Sequence, residues 1–522
     1  MPERQRIRVV ASSVPVRPGA YRMEGGRAVP MMGDAFSPFT PAGSASSFEG
    51  AGYGRRLRNF SPSHAHVNAA LQSAGRTLVK RARFLVENNA YAGNAVDVWA
   101  AWVIGDGICP RFPVQDPERR RKLKKLWNKW VKEADAECQT NFYGLQEKIV
   151  REAYISGECF VRLRTRRPGD MKTVPLQLQV MPSEMLDLTY NADLGGGNFI
   201  RMGIEFDAIG RRVAYHFWRN HPDDYRAKTL SGSERIRVPA SEVLHIFDAR
   251  QAGQIRGVSR FARAIVKIFS GDTYDDAEME RKKTAALYAG FVTQNGEQSP
   301  VDSDSDDDDA APVPIEPGAM LALRDGEDVK FSSPADVGGS YEPFQYRTTL
   351  QVSVALGIPY AYLTGDTTKG NFSNVRTEIV NFRRKISQFQ QNVIIPQGCE
   401  PVAERWLELA EATGLLKAGD DARDEDWLPP RMEWVDPRVD VETAIKEVRA
   451  GFATRGQVIA SKGYDREDID DERERENEEA DSKGLIYDTD PRRVSSVGMS
   501  NAVPTGSGYL ESESVEGDEA RQ

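Results

Sequence analysis

The stretch that decides the fold covers residues 343–393, PFQYRTTLQVSVALGIPYAYLTGDTTKGNFSNVRTEIVNFRRKISQFQQNV. Pro343 is suited to the first turn of a helix, where its missing N–H costs nothing, so a helix is predicted from there to about Leu356. Gly357 and Pro359 end that helix. The segment IPYAYLTGDTTKGNFS, residues 358–373, is then predicted to be a polar loop.

A second, longer helix follows the loop. Ser373 or Asn374 can cap its first turn. Apolar side chains recur after the cap at steps of three and four, which is the helical period, at Ile379, Phe382, Ile386, Phe389 and Val393. Two helices that flank a loop of Thr, Gly, Lys and Asn are therefore the most distinctive local arrangement in the chain.

The chain on the N-terminal side of this stretch combines helices and strands. Helical periodicity over residues 67–103, broken near Asn88 and Asn89, predicts two packed helices, and residues 118–132 predict a basic helix with a solvated charged face. Residues 159–248 alternate in short β-rich segments punctuated by Gly and Pro, which predicts a mostly antiparallel β region. Residues 259–289 return to a helical pattern. The fold class is therefore α+β.

Shorter segments complete the prediction. GFVTQ, residues 290–294, resembles a strand, and MLALRDGEDVKF, residues 320–331, favours a strand pair with Asp325 and Gly326 as its turn. The acidic run at residues 302–309 reads as a solvated loop. One further helix is predicted over residues 440–461, and the chain beyond Asp490 is expected to be disordered.

The charge is unevenly distributed along the 522 residues. The whole chain has 69 Lys and Arg against 78 Asp and Glu, a net charge of −9. Residues 420–522 hold 28 acids and 14 bases, whereas residues 1–419 hold 50 acids and 55 bases. Residues 1–419 thus have a net charge of only +5, which does not require a dense basic face on the protein. Tight nonspecific DNA binding is therefore not predicted.

Cysteine usage and hydropathy indicate the compartment in which the protein is found. The four cysteines are too few and too widely spaced for a disulfide framework, which favours a reducing compartment. The N-terminal sequence lacks an apolar core of signal-peptide length, and no stretch reaches the ~20 apolar residues that span a bilayer. A soluble protein without membrane contact is expected.

Catalytic and cofactor motifs are weak throughout. The sequence has no Gly-Lys dipeptide and so no P-loop, and Gly105-x-Gly107 lacks the third glycine of a dinucleotide fingerprint. His64-x-His66 has no further ligand at metal spacing, and the acidic run lacks the glycine and glutamate of a calcium loop. No metal or cofactor is predicted. A Ser/His/Asp constellation stays open because its members can lie anywhere along a chain.

Six blocks, in order and with their spacing, resemble the portal proteins of tailed bacteriophages, lambda family. They are RARFLVENNAYAGNAVDVWAAWVIGDGICPRF with ISGECFVRLR, LQVMPSEMLD, GIEFDAIGRRVAYHFWRNHPDD, VPASEVLHIFDARQAGQIRGVSRFA and ALGIPYAYLTGDTTKGNFSNVRTE. The blocks lie between residues 81 and 378, and the resemblance as a whole covers roughly residues 65–465. The conjunction is far more specific than any one block.

The resemblance implies a subunit that is not an enzyme and that joins a ring, usually a homododecamer, at one capsid vertex. Double-stranded DNA would be packaged and ejected through the central channel. The implied partners are the terminase large subunit, then the head-completion adaptor, and the major capsid protein or scaffold. The expected location is the portal vertex of the virion, with the host cytoplasm during assembly.

The family architecture also implies a division of this chain, in which the portal fold consists of a wing, stem helices, a clip, a tunnel loop and a helical crown. The expected segments are a flexible N-terminal arm at 1–60, a wing at 61–255, a first stem helix at 256–290, a clip with an acidic insertion at 291–335, a second stem helix at 342–357, a tunnel loop at 358–373, a long wing helix at 374–412, crown helices at 413–482 and a disordered tail at 483–522.

Two groups of site residues are implied. In the tunnel loop, Thr367, Thr368, Lys369 and Asn371 would form a soft polar collar around DNA, with Lys369 as the DNA-facing charge. Alternatively, Lys369 only solvates a turn or bonds a neighbouring subunit. In the clip, the terminase and adaptor contacts would be Phe291, Val292, Thr293 and Gln294.

The inserted clip segment GEQSPVDSDSDDDDAAPVP, residues 296–314, either tunes docking of terminase and adaptor by its charge or is a tolerated surface insertion. For the whole chain, two other functions remain open. One is a head-maturation hydrolase or protease, and the other is a capsid or adaptor component without a channel. A closed ring would distinguish the portal from the hydrolase.

Overall fold

The computed structural model describes residues 21–24, 27–30, 65–287 without 168 and 225–233, 291–294, 327–330, 341–487 without 371, 418 and 433–436, and the two residues 490 and 492. The chain divides into two compact units, Met1–His66 and Val67–Gln522. In the first unit, strand β1 (Tyr21–Glu24) pairs antiparallel with β2 (Arg27–Pro30), a pairing that the sequence analysis lacked.

Helices make up most of the described part of the second unit. They are α1 (Val67–Asn88), α2 (Ala90–Val103), α3 (Pro117–Val131), α4 (Phe142–Ser156), α5 (Ile265–Leu287), α6 (Tyr341–Leu356), α7 (Tyr360–Thr364), α8 (Phe372–Phe389), α9 (Glu400–Ala412), α10 (Pro437–Ala450), α11 (Arg455–Ala460) and α12 (Arg466–Lys483). Between α8 and α9, residues Gln390–Cys399 continue as a π-helix, which contains Pro396. The helical run from 372 to 412 therefore has the predicted extent but includes a widened segment.

The strands form antiparallel sheets. They are β3 (Cys109–Arg111), β4 (Glu158–Thr165), β5 (Leu176–Met181), β6 (Ala192–Gly195), β7 (Asn198–Arg201), β8 (Ile204–Phe206), β9 (Arg212–Trp218), β10 (Arg235–Pro239), β11 (Val243–Phe247), β12 (Phe291–Gln294), β13 (Glu327–Lys330) and β14 (Asp426–Leu428). One sheet has the order β10-β9-β8-β7-β6 and another the order β11-β4-β5. The prediction of a mostly antiparallel β region over 159–248 is confirmed.

The main core lies between the N-terminal helices and the run from α8 to α9. Trp99 of α2 is buried, and its ring meets those of Phe382 and Phe389 edge-on at 6.3 and 5.4 Å. At the other end, Trp127 of α3 packs at 5.1 Å from Trp406 of α9. Such aromatic contacts add to area burial and join parts of the sequence that are far apart.

A buried charged cluster joins the three-stranded sheet to the segment that leads into α5. The Arg256 side chain donates through Nε to Glu158 Oε1 at 2.8 Å and through Nη1 to the Met202 carbonyl at 2.9 Å. His245 Nε2 lies 3.0 Å from the other Glu158 oxygen, and Gly257 N donates to that oxygen at 2.8 Å. We call Glu158, His245 and Arg256 the buried triad.

The environment fixes the protonation of the buried triad. Burial alone would raise the pKa of Glu158, but the Arg256 charge and the His245 hydrogen bond lower it to about 2. Burial lowers the pKa of His245 to about 4, so the ring is neutral at pH 7. Because His245 Nδ1 lies 3.2 Å from Arg212 Nη1 and must accept there, its Nε2 carries the proton and donates to Glu158.

Two local predictions need correction, and a third is not tested. The 358–373 segment is not loop throughout, because α7 occupies part of it. The helix predicted over 440–461 is two helices, α10 and α11, which are separated at Gly451 with φ of +77°. Strand β13 pairs with β12. The residues 320–324 that were expected to pair with β13 lie outside the described residues.

Among the helices of the described ranges, none has the length and apolarity needed to cross a membrane. The prediction of disorder beyond Asp490 lies outside the described residues, apart from Arg492.

Candidate functional site

Helices α5 and α6 pack side by side through aromatic rings. Tyr274 of α5 lies 6.2 Å from the ring of Tyr341 and 4.8 Å from that of Phe344, both on α6. The Tyr341 hydroxyl donates to Asp275 Oδ1 at 2.9 Å, and this hydrogen bond raises the pKa of Tyr341 to about 12. The two helices are therefore linked by both packing and a polar contact.

The turn after α6 is rigidly held. Gly357 has φ of +79°, a left-handed conformation that suits glycine. The Ser353 hydroxyl donates to the Ile358 carbonyl at 2.7 Å, and the buried Tyr154 hydroxyl donates to the Leu356 carbonyl at 2.9 Å. The last carbonyl of α6 and a carbonyl of the turn that follows it thus receive side-chain donors.

The short helix α7 is anchored to α2. Asn94 Nδ2 on α2 donates to the carbonyls of Tyr362 and Leu363, both at 2.8 Å. The Tyr362 ring sits 5.4 Å from that of Trp102 and 6.0 Å from that of Phe382. This packing fixes the position from which the following loop projects.

The loop tip, residues 365–370, begins where Gly365, with φ of +74°, ends α7. Asp366 Oδ1 accepts from the Thr368 backbone at 2.8 Å and from the Thr368 hydroxyl at 2.6 Å. These hydrogen bonds lower the pKa of Asp366. Thr367, Thr368 and Lys369 are all exposed, so the tip is a structured polar turn that faces solvent in the single chain.

Lys369 already has a partner within the chain. Its Nζ lies 2.5 Å from Glu342 Oε1 in the first turn of α6, and this hydrogen bond raises the pKa of Lys369. Both side chains are exposed. The cation that the family resemblance implies as the DNA-facing charge is therefore paired, within the chain, with a carboxylate that lies 27 residues earlier in the sequence.

The other predicted site residues fall in a separate place. Phe291, Val292, Thr293 and Gln294 form β12, which pairs antiparallel with β13 in the register Phe291 to Lys330 and Gln294 to Glu327. Asn371 and the acidic insertion at residues 296–314 lie outside the described residues. The structure thus brings Thr367, Thr368 and Lys369 together in one turn and places the four predicted clip residues on one strand.

Apolar side chains stand exposed on the paired helices. On α5 these are Val266 and Phe269, exposed to 71% and 65%, and on α6 they are Phe344 and Val354, exposed to 49% and 75%. Next to α5, a groove of about 690 Å³ between α1 and α5 is lined by Phe84, Val266 and Phe269 with Lys80 and Arg81 at its edge. Contiguous exposed apolar surface is found where proteins contact other proteins, membranes or ligands.

Two histidines on the sheets have structural partners. His216 Nε2 lies 3.0 Å from Glu205, and both ring nitrogens of His245 are engaged by Glu158 and Arg212. Among the residues the structure describes, no group of three or more His, Cys, Asp or Glu side chains is arranged to hold a metal ion.

The comparisons with known proteins agree on one family. The model for "Phage portal protein, lambda family" matches residues 53–390. The chain is 28% identical over 410 residues to the probable portal protein of Halomonas phage phiHAP-1, covering 75% of this chain and 78% of that one. It is 20% identical over 483 residues to portal protein B of Escherichia phage lambda, covering 84% and 90%.

A likeness to a solved structure was also found. A chain in the neck of an empty GTA particle computed with C6 symmetry superposes with a TM-score of 0.44 at 17% identity, covering 75% of this chain and 93% of that chain.

Proposed function

The chain belongs to the lambda family of phage portal proteins, and from this membership we propose that twelve copies form a ring at one capsid vertex, through whose channel double-stranded DNA is packaged and later ejected. The match over residues 53–390, which contains the α5–α6 pair and the loop tip, is the single observation that carries the proposal. The matched sequence relatives named above are portal proteins.

The exposed apolar side chains on α5 and α6 support assembly into a ring. Val266, Phe269 and Val354 each leave about two thirds or more of their surface in water in the single chain. Burial of apolar surface between neighbouring copies would be favourable by roughly 25 cal/mol per Å². In a closed ring every copy makes the same heterologous contact, so this stabilisation repeats around the axis.

The loop tip supports a conduit with low affinity for DNA. Each phosphate that a free cation neutralises adds affinity that a translocation step must break. Lys369 is balanced by Glu342 at 2.5 Å, and Asp366 adds a further negative charge beside it. The loop tip therefore presents threonine hydroxyls and a lysine paired with a carboxylate to passing DNA, which keeps its affinity for phosphate low.

The assembly proposal is tested by negative-stain electron microscopy and native mass of the purified chain. We expect closed rings with a central hole and a mass of about twelve subunits. The variant Phe269→Glu removes an exposed apolar group from α5 and should abolish the rings while leaving the circular-dichroism spectrum unchanged. Its matched control is Ile209→Glu, which makes the same kind of change at a 70% exposed position in the turn between β8 and β9.

Ring formation by the wild type and the two variants distinguishes the possible results. Rings that form with Ile209→Glu but not with Phe269→Glu support assembly through α5. Rings that persist in Phe269→Glu show that this face is not the interface. A wild-type chain that stays monomeric or dimeric even when it is co-expressed with a capsid scaffold would overturn the portal ring.

The remaining parts of the chain take the family's roles by analogy. Segments 61–255 and 374–412 form the wing, 256–290 with α5 and 342–357 with most of α6 form the stem helices, 358–373, which includes α7, forms the tunnel loop, and 413–482 forms the crown. The subunit is located at the portal vertex of the virion after assembly in the host cytoplasm, where it meets capsid protein or scaffold. This assignment follows the family resemblance and the positions of the helices.

The strand pair β12–β13 belongs to the clip, which docks the terminase large subunit and then the head-completion adaptor. Residues Phe291–Gln294 lie on one strand of this pair and supply the contact. Deleting residues 301–310 and measuring terminase-dependent packaging tests the acidic insertion. A large loss would assign it to docking, and unchanged packaging would make it a tolerated surface insertion.

The buried His245 does not suit the hydrolase alternative. A catalytic histidine needs one ring nitrogen for its nucleophile and one for the orienting acid. At His245 those positions are taken by Arg212 and Glu158. No observation favours this alternative over a conduit.

A further inference from the structure

Helix α3 carries the densest positive charge in the described part of the chain. Residues 117–132 contain eight Lys and Arg and one Glu. Its apolar face, including Leu123, Trp127 and Trp130, is buried in the core, so the charges occupy the opposite face. Packing thus fixes the helix and leaves five of its eight cations exposed to solvent.

Four of these cations form one stripe. Lys122, Lys125, Lys129 and Lys132 follow one another at steps of three, four and three residues, which places them on one side of a helix over about 15 Å. All four are exposed. Within the part of the chain that the structure describes, no carboxylate lies within ion-pairing distance of any of them.

A second helix from the same chain lies along the edge of this stripe. Helix α12 has ten acids and four bases over residues 466–483 and buries none of its side chains. It reaches α3 through ion pairs of Asp471 with Arg121, at 3.1 Å, and of Asp468 with Lys124. Charge complementarity rather than apolar packing therefore holds α12 against α3.

One anchor fixes the start of α12 more firmly. Arg111 Nη2 contacts both carboxylate oxygens of Glu467 at 2.8 and 2.9 Å, and its Nε lies 3.3 Å from Asp465, the residue that caps α12. These groups are only partly exposed, whereas the pairs farther along α12 are open to water. Exposed pairs are worth about 0–1 kcal/mol each and weaken with salt, so α12 is poised to detach beyond its first turn.

We infer that the basic face of α3 is a docking surface for the phosphates of duplex DNA and that α12 is its intramolecular competitor. The chain itself shows that this surface accepts a negatively charged rod, because α12 already occupies one edge of it. Duplex DNA is the polyanion that the proposed portal function brings to the protein, and the choice of DNA as occupant rests on that function.

The surface is separate from the loop tip. Helix α3 packs on α4 and α9 through Trp127, which touches Phe142 and Trp406, whereas the loop is based on α2 and α6. A cation stripe of this kind gives sequence-independent binding with a steep salt dependence. It would hold DNA that lies against the protein rather than read its sequence.

The test uses the full chain and a fluorescent 30-base-pair duplex of random sequence, with anisotropy measured from 50 to 200 mM salt. The variant Lys125→Gln/Lys129→Gln should weaken binding by at least about tenfold at 50 mM salt and reduce the log–log salt slope by about two. The matched control, Lys446→Gln/Arg449→Gln on α10, removes two exposed cations that likewise have no ion pair in the described chain. It should bind as the wild type does.

The competitor is tested by Asp468→Asn/Asp471→Asn. These changes remove the two acids of α12 that pair with α3 and should tighten DNA binding several-fold. In the wild-type chain, hydrogen exchange of the amides of residues 472–480 should accelerate when DNA is added, because DNA displaces α12. Unchanged DNA affinity in Asp468→Asn/Asp471→Asn would overturn the competitor role.

Equal DNA affinity in the Lys125→Gln/Lys129→Gln variant and its control would overturn the docking surface. Binding of poly-glutamate without binding of DNA would also overturn it, in favour of an acidic protein partner. Each result is separable from the portal proposal, because ring formation by the same samples is read independently by electron microscopy.

Discussion

The buried triad and the α3–α12 contact are built from the same kinds of side chain and behave oppositely. Arg256 is fully buried, and Glu158 neutralises it inside a shell of carbonyls. Arg121 and Lys124 meet their carboxylates in water. The first arrangement is costly to break because no water replaces a lost partner, and the second is readily exchanged. Burial, not residue type, thus separates a structural ion pair from a surface that can change partners.

The largest expected effect comes from breaking the buried triad. Glu158→Gln leaves the Arg256 charge buried without its counter-ion and should lower the free energy of unfolding by about 3–5 kcal/mol. Urea denaturation followed by circular dichroism measures the change. The control is Glu234→Gln, the same substitution in the exposed pair with Arg219, which should cost less than about 1 kcal/mol. Equal losses in the two variants would contradict the contrast between buried and exposed pairs.

A second expected effect is acid sensitivity of the buried triad. The pKa of His245 is about 4 in the folded chain and near 6.5 when unfolded, so the unfolded state binds the extra proton between these values. Stability is therefore full above pH 6.5 and should fall by on the order of 3 kcal/mol as the pH drops to 4.

Glu158 extends this loss to lower pH. Its folded pKa of about 2 lies below its unfolded value near 4.5, so its contribution is present above pH 4.5 and is lost as the pH falls toward 2. Urea denaturation at a series of pH values checks both windows. In His245→Gln the slope between pH 6.5 and 4 should flatten, and an unchanged slope would show that other groups cause the acid loss.

The exposed side of the comparison predicts a small, salt-dependent coupling. A double-mutant cycle of Lys124→Ala and Asp468→Ala should give a coupling of at most about 1 kcal/mol at low salt, falling toward zero at 0.5 M salt. The readout is the local opening of α12 by hydrogen exchange, which such weak contacts govern. A coupling that survives 0.5 M salt would mean that α12 is held by more than surface charge.

Periodicity made most of the secondary structure predictable from sequence. The break between α1 and α2 at Asn88 and Asn89, the antiparallel sheets and the basic helix α3 all follow from spacing and turn residues. The π-helical segment and α7 were not predicted. Propensity does not mark a widened helix that tolerates Pro396, and α7 depends on the tertiary contacts of Asn94 and Tyr362.

The site was less predictable than the fold because its charges are settled by tertiary contacts. The sequence marks Lys369 as a polar-loop cation, but Glu342, which lies 27 residues earlier, becomes its partner only when α6 and the loop pack together. The sequence contains one weak indication of the buried triad. Glu158 directly precedes the predicted strand segment CFVRLR, which begins with apolar residues. Its partners come from 87 and 98 residues away, beyond the reach of local patterns.

The smallest expected effect is at the loop tip and bears directly on the conduit. Because Glu342 already balances Lys369, removing the lysine takes little net attraction away from the tip, and in-vitro DNA packaging by Lys369→Ala particles should stay within about twofold of the wild-type rate. Glu342→Gln leaves the lysine in place and removes its partner, so a ring would gain one unmasked cation per subunit. Packaging should then slow more than in Lys369→Ala, and the slowing should vanish as salt screens the added charge. A severe defect in Lys369→Ala with a normal Glu342→Gln would reverse the argument and make the lysine an essential DNA contact in spite of its carboxylate.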